Sequence, residues 1–328
     1  MKYDFVGIGD VTTDCFIRLH QAEVHCKIDN EGCEICMPFG TKIPYESATE
    51  VWGTGNSSNA ALCVAKLGLS AALVSSVGGD EDGKKILESL QTRNVATEYV
   101  SVHADITTNY YYILQYGAER TILVKHGPFP KILPQFTEPP QWIYFSAAGD
   151  VDFQNLIGRY CTDNHVKLAF QPNTEQIKMT PETLKDVYKA AEIFFCNKEE
   201  AQSILKMPEE HDAKKLMEGI RALGPKIVVV TDGPKGANVL DASGAFYIPM
   251  YPDPAPPVSR TGAGDTTAST TVAYIMKGLS PSESLMRGMI NAAAGVQAIH
   301  CQLGILNAEQ IEEWYAKRPV DFVATQLT

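Results

Sequence analysis

Long basic runs are missing from this 328-residue chain. Its 28 lysines and arginines stand against 39 acids, a formal charge of −11. No basic run outgrows pairs such as Lys84-Lys85 and Lys214-Lys215, which excludes a nucleic-acid backbone as partner. No stretch approaches the about 18 apolar residues of a membrane span. The opening Met1-Lys2-Tyr3-Asp4-Phe5-Val6 lacks the zones of a signal peptide, so a cytoplasmic protein is expected. No repeat of about 20–50 residues and no low-complexity segment appears. The dinucleotide fingerprint is also absent: Gly7 and Gly9 follow the first strand pattern, but position 12 is Thr, which argues against a nicotinamide-dependent dehydrogenase. Eight cysteines are scattered, several within apolar or helical patterns, where reduced buried thiols are the default.

Hydrophobic residues make up 45% of the chain and charged residues 20%, enough for a substantial core in one large α/β unit. Strand-like and helix-like patterns alternate. Strands are predicted at 3–8, 71–77, 143–146, 168–170, 193–196 and 227–231. Helices are predicted at 59–67, 83–92, 181–191 (capped by Thr180) and 198–205, and from about Ala263 and Pro281. Such alternation predicts a mostly parallel sheet with helices on both faces and ligands beyond the carboxyl ends of its strands. Two stretches break the pattern. Residues 15–52 are polar and turn-rich, and residues 107–125 read as a hairpin around Gly117-Ala118; the two could pair into a small sheet.

Three glycine-rich turns carry candidate chemistry. In Thr261-Gly262-Ala263-Gly264-Asp265, small residues let the backbone approach a ligand, and a helix starting there aims free N–H groups at an anion such as a transferring phosphate. Asp265, in the first turn, could accept the proton of an attacking alcohol. Local physics leaves open a plain glycine turn whose Asp caps a helix. Gly53-Thr54-Gly55-Asn56-Ser57-Ser58-Asn59 suits hydrogen bonding to a polyhydroxylated ligand, or a helix N-cap after a flexible turn. Thr231-Asp232-Gly233-Pro234-Lys235-Gly236 offers amides and a cation at a strand end, or a simple hairpin turn.

Taken in order, these turns resemble the ribokinase-like (PfkB) carbohydrate and nucleoside kinases, over nearly the whole chain. Gly9 and Asp14 match the opening strand and its sugar-contacting acid. Val77-Gly78-Gly79-Asp80 with Gly83 matches the VGxDxxG element, Asn173 the asparagine after the mid-chain strand, and Asn197-Lys198-Glu199-Glu200 the NxxE element. Asn291, with Ala292 to Ala294, matches the helix lining the adenine site.

The resemblance implies a three-layer α/β/α sandwich with a mostly parallel central sheet, forming one kinase domain over residues 1–328 with a β-lid from about 15–52 and 107–125. It implies transfer of the γ-phosphoryl group of ATP to a hydroxyl of a sugar, a sugar-like molecule or a nucleoside. Asp265 would be the base and Gly262, Ala263 and Gly264 the anion hole. Asp14, Gly55, Asn59 and Arg120 would hold the acceptor, with Asn197, Glu200, Thr231, Gly233, Gly236 and Asn291 around ATP. Mg2+ would be held near Glu200, mostly through water. Pairing of two subunits through the lid is left open.

Departures from the pattern bear on several of these expectations. Ser259-Arg260 stand where the family usually has Asp-Thr, which leaves monovalent-cation activation in doubt and offers Arg260 either to the phosphates or to solvent. Gln171 replaces a common Asp, and Asp232 is a puzzling acid beside phosphates. Gly78 to Lys85 imitates a P-loop but has Lys where Ser or Thr must meet magnesium. His25, Cys26, Cys33 and Cys36 suggest a metal site only thinly and fit ordinary lid thiols better. The Tyr110-Tyr111-Tyr112 run would either pack within the hairpin or line a pocket.

Overall fold

Successive residues of the central strands serve two separate cores. Phe5, Tyr144, Ala169, Ile193, Phe195 and Val229 face one. Val6, Ile143, Leu168, Phe170, Phe194 and Val228 face the other. This alternation is the period of a strand buried on both faces. The computed structural model describes residues 2–25, 33–117, 119–146 and 149–327. Seven strands run parallel, in the order β7 (Val95–Ala96), β6 (Ala71–Gly78), β1 (Phe5–Ile8), β11 (Trp142–Phe145), β12 (Lys167–Phe170), β13 (Ala191–Asn197), β14 (Ile227–Thr231). The antiparallel β15 (Ala237–Asp241), β16 (Gly244–Ile248) and β17 (Thr325–Gln326) extend one edge, and β8 (Val100–His103) pairs with the end of β6.

Helices cover both faces. The first core takes α1 (Asn56–Lys66), α2 (Glu81–Thr92), α8 (Ala263–Met276), α9 (Pro281–Gly295) and α11 (Ala308–Ala316). The second takes α3 (Val151–Asp163), α4 (Thr174–Lys178), α5 (Lys185–Ala190), α6 (Lys198–Leu205) and α7 (Ala213–Ala222). The short α10 (Cys301–Gly304) packs on α9 and α1. The helix expected over 181–191 is shorter. Thr180 does accept from the Thr183 amide at 3.4 Å. However, residues 181–184 close as i→i+3 turns, so the α-helix starts only at Lys185.

The two non-alternating stretches do pair. A small sheet has the order β10 (Glu119–Leu123), β9 (Tyr110–Tyr116), β2 (Thr12–Leu19), β5 (Tyr45–Thr54), with β2 and β9 parallel. It starts at Thr12, three residues before the expected boundary, because β2 follows β1 almost directly. A separate hairpin joins β3 (Glu23–His25) to β4 (Glu34–Cys36). Cys26 and Ala118 lie outside the described residues. Cys33 is disulfide-bonded rather than the thiol expected, and Cys36 is free. Among the described residues no group of three or more His, Cys, Asp or Glu could hold a metal ion. None of their helices is long and apolar enough to cross a membrane.

Asp80 explains the imitation P-loop. It caps α2 by accepting from the Gly83 amide at 3.0 Å and takes the Thr108 amide at 2.9 Å, tying α2 to the base of β9. A carboxylate so engaged leaves no phosphate cradle.

Candidate active site

Gly262 sets the geometry. Its φ is +77° and a Cβ there would lie 2.2 Å from the Cys301 sulfur, so only glycine fits before α8. Past this turn, the Ala263 amide is already engaged, donating to the Arg260 carbonyl at 3.3 Å. Among the described residues no carbonyl accepts from the amides of Gly262, Gly264 or Asp265. The backbone amides left open at this helix tip are therefore those of Gly262, Gly264 and Asp265, a geometry that suits an anion, while the Ala263 N–H is engaged.

Asp265 is buried at this tip and clamped by two carboxamides. Asn59 Nδ2 donates to Oδ2 at 2.8 Å and Gln171 Nε2 to Oδ1 at 3.1 Å. Each amide is itself held. Gln302 Nε2 donates to Asn59 Oδ1 at 2.7 Å, and Arg93 Nη1 donates to Gln302 Oε1 at 2.6 Å. On the other side the Tyr144 hydroxyl donates to Gln171 Oε1. Burial raises the Asp265 pKa above the ordinary carboxylate value; the hydrogen bonds from Asn59 and Gln171 and the charge of Arg120 oppose that rise. A carboxyl poised upward in this way suits proton abstraction at neutral pH better than an exposed Asp would.

Two cavities meet at the turn. One, of about 300 Å3, is lined by Asp14, Gly55, Asn56, Asn59, Tyr111, Arg120, Arg260, Gly262, Gly264 and Asp265. The other, of about 140 Å3, lies across the turn and is lined by Thr231, Gly233, Gly236, Arg260, Ala263, Gly264, Met289, Ala292, Ala293 and Val296. A third space of about 690 Å3 adjoins the first through Gly55, Asn56 and Tyr111 and reaches Asp10, Gln171, Asn173 and Glu200. Asp14 projects from β2 with Oδ1 buried and unpartnered, and burial lifts its pKa to about 7. Gly55 adopts φ +116°, and a Cβ there would lie 2.4 Å from the Asp10 carbonyl.

Other expected roles change. Asn59 borders the cavity and also positions the carboxylate, with one N–H on Asp265 and its carbonyl accepting from Gln302, which leaves its second N–H for an acceptor. Asn291 is fully buried between helices: it donates to Thr270 Oγ1 at 2.8 Å and accepts from the Leu306 amide at 2.7 Å. Its neighbours Met289, Ala292, Ala293 and Val296 face the cavity instead. Asn197 and Glu200 form a reciprocal capping box on α6, with both bonds at 2.8 Å. This uses the Asn197 side chain, which lines none of these cavities, while Glu200 keeps one oxygen free and borders the third space. Asp232 turns to Lys198 at 3.5 Å, which removes the puzzle of an acid beside phosphates. The Thr231 to Gly236 segment is a hairpin turn between β14 and the antiparallel β15, and it borders the smaller cavity. Gln302, Arg93 and Tyr144 were not read from the sequence; polar residues within apolar helical or strand runs were the only signal for them.

A buried carboxylate lining one cavity, beside a glycine turn whose Gly264 also borders a second cavity, is an arrangement that suits a small-molecule kinase. Residues 25–308 match the family model described as pfkB family carbohydrate kinase, and the chain belongs to that family. It is 25% identical over 217 residues to a nucleoside kinase of Methanothermobacter thermautotrophicus, covering 65% of this chain and 68% of the relative. It is 22% identical over 331 residues to an ATP-dependent 6-phosphofructokinase of Thermoanaerobacterium thermosaccharolyticum, covering 96% and 94% of the two chains. The crystal structure of the Methanocaldococcus jannaschii nucleoside kinase, an archaeal member of the ribokinase family, superposes with a TM-score of 0.79 at 18% identity, covering 97% of this chain and 99% of that one. The chain is a sugar or nucleoside kinase with the ribokinase fold.

Proposed function

We propose that the protein transfers the γ-phosphoryl group of Mg·ATP to a hydroxyl of a sugar or sugar-like acceptor, with Asp265 as general base. The single observation carrying this reading is the position of Asp265, buried at a helix tip with unpaired amides and lining one cavity next to Gly264, which borders both. The acceptor lies in the cavity beside Asp14, whose unpartnered oxygen receives a hydroxyl. ATP lies along Thr231, Gly233 and Gly236, with its base against Met289, Ala292, Ala293 and Val296.

The acceptor oxygen attacks phosphorus as the bond to the β-phosphate oxygen breaks, ADP leaves, and the hydroxyl proton passes to Asp265. The amides of Gly262, Gly264 and Asp265 stabilise the charge on the transferring oxygens, and Arg260, which borders both cavities, adds a guanidinium. Glu200, one of whose oxygens has no hydrogen-bond partner among the described residues, would hold a magnesium ion, largely through water, and the ion would supply charge neutralisation at the phosphates. The small sheet acts as a lid that excludes water on closure.

The test is an ATP-consumption screen across sugars, sugar acids, sugar phosphates, inositols and nucleosides, repeated with Asp265→Asn. Turnover is expected to fall by at least about 10²-fold with ATP binding retained. Undiminished turnover in that variant would remove Asp265 from the role given to it here.

A further inference from the structure

The inner face of the small sheet carries a charge that the fold leaves unanswered. In the β9–β10 pair, Arg120 lies opposite Gln115 and Ile122 opposite Ile113. Residues directly opposite in an antiparallel pair share a face, so Arg120 projects with Ile113 and Ile122 toward the acceptor cavity, which all three line. The Gln115 amide donates to the Val258 carbonyl at 2.8 Å, pinning this corner of the sheet two residues before Arg260. Arg120 is near enough to Asp265 for its charge to favour the ionised carboxylate. Yet among the described residues it makes neither an ion pair nor a side-chain hydrogen bond. Nearby cations are committed elsewhere: Arg18 pairs with Glu46 at 2.9 Å, and Lys131 pairs with Asp10.

An unpaired arginine facing bulk water would need no explanation. Arg120 is itself exposed in this structure, but it lines the acceptor cavity with Ile113, Ile122 and Tyr111, where a bound substrate would displace its water. Asp14 and Asp265 line the same cavity, but neither bonds Arg120, and a neutral polyol or nucleoside would desolvate the guanidinium without giving it a counter-ion, a costly arrangement. An anion removes that cost, and the planar fork of donors fits a carboxylate or phosphate edge-on. Arg260 is poorly placed to substitute, because it also borders the nucleotide-side cavity and serves the transferring phosphate. Resting on the kinase reading above, we propose that the natural acceptor is an anionic sugar derivative, a sugar phosphate or a sugar acid, whose charged end is held by Arg120 while a hydroxyl reaches Asp265.

The experiment pairs each neutral pentose and hexose with its monophosphate and its aldonic acid, with nucleosides alongside, and measures kcat/KM for the wild-type chain, Arg120→Met and Arg120→Lys. At least one anionic acceptor should exceed its neutral parent by about 100-fold or more. Arg120→Met should lower that value by about 30-fold or more, mainly through the acceptor KM, and Arg120→Lys should recover part of the loss by restoring charge without the fork. A neutral sugar or nucleoside preferred over every anionic acceptor would overturn the inference, as would a change of less than about threefold in Arg120→Met. Calorimetric titration with ribose 5-phosphate and with gluconate, without ATP, separates the phosphate arm from the carboxylate arm. If neither binds in an Arg120-dependent way, the inference falls whatever the turnover. If Arg120-dependent binding is present and no acceptor in the panel supports ATP consumption, the anion site stands and the kinase reading falls.

Discussion

The surroundings of Asp265 and the inner face of the small sheet lie against the same cavity and are built on opposite plans. Around Asp265, both carboxylate oxygens accept hydrogen bonds, and both ends of Asn59, Gln171 and Gln302 are engaged. On the inner face of the small sheet, Asp14 Oδ1 is buried without a partner, and the exposed Arg120 has no counter-ion among the described residues. Buried polar groups are normally satisfied, so the second region is incomplete without a ligand. The contrast teaches where each part of the binding free energy goes. The reacting carboxylate is oriented before substrate arrives, as electrostatic preorganisation requires, while recognition is left to groups that the substrate itself completes.

The strongest way to break this comparison acts on Asp14. Burial lifts its pKa to about 7, against about 3.9 in an unfolded chain. Because the folded value is the higher one, folding takes up a proton between about pH 4 and pH 7. The neutral carboxyl is tolerated below that window; the ionised one costs stability as pH rises through it, and the loss levels off above about pH 7. Asp14→Asn carries no charge to bury. Without substrate it should match the wild-type protein near pH 4 and exceed it by up to about 4 kcal/mol near pH 8, while its acceptor KM rises. Urea titrations of both proteins across that range decide the matter, and a stability gap that ignores pH would mean Asp14 is not held in the unsatisfied state described.

A smaller effect sharpens the other side. Gln302 contacts no expected substrate, but it links Arg93 to Asn59 and so to the carboxylate. Gln302→Leu should lower kcat by about 10- to 100-fold, the equivalent of roughly 2 kcal/mol, with KM for ATP held. Its acid limb should also move to higher pH, because the Asn59 hydrogen bond holds the Asp265 pKa down and loosening it lets burial dominate. A fall in kcat with an unmoved pH profile would show general loosening of the fold rather than lost orientation of the base.

The sequence made the layered sheet legible because the buried strands, such as Ile227–Thr231, are short apolar runs between helical patterns. It also made the helix start at Ala263 legible, although Gly262-Ala263-Gly264-Asp265 alone left its chemistry open and only the ordered series of turns pointed to it. The edge strands β15 and β16 were missed because five-residue half-apolar runs carry no period long enough to separate strand from loop. The clamp was hidden for a different reason. Asn59, Gln171 and Gln302 meet only in three dimensions, 112 and 131 positions apart, and a carboxamide can serve a ligand or a neighbour equally well. Asn197 and Asn291 illustrate the same limit: each sits at a position that a motif associates with the nucleotide, and each spends its side chain on the backbone or on a neighbouring helix.

The smallest expected effect tests the outer face of the small sheet. Tyr112 and Leu123 stand opposite each other there, 46% and 51% exposed, and Tyr45 is 59% exposed on the same sheet. Their side chains point away from the cavity that Tyr111 and Ile122 line, so Tyr112→Thr should change stability by no more than about 0.5 kcal/mol and kcat/KM by less than about twofold. This holds if the outer face is solvated. Should the wild-type melting temperature rise with protein concentration and the Tyr112→Thr variant lose that dependence, the outer face is buried against a second copy of the chain. The two faces of the sheet would then divide the work between assembly and acceptor recognition, and the comparison with the self-sufficient surroundings of Asp265 would become sharper still.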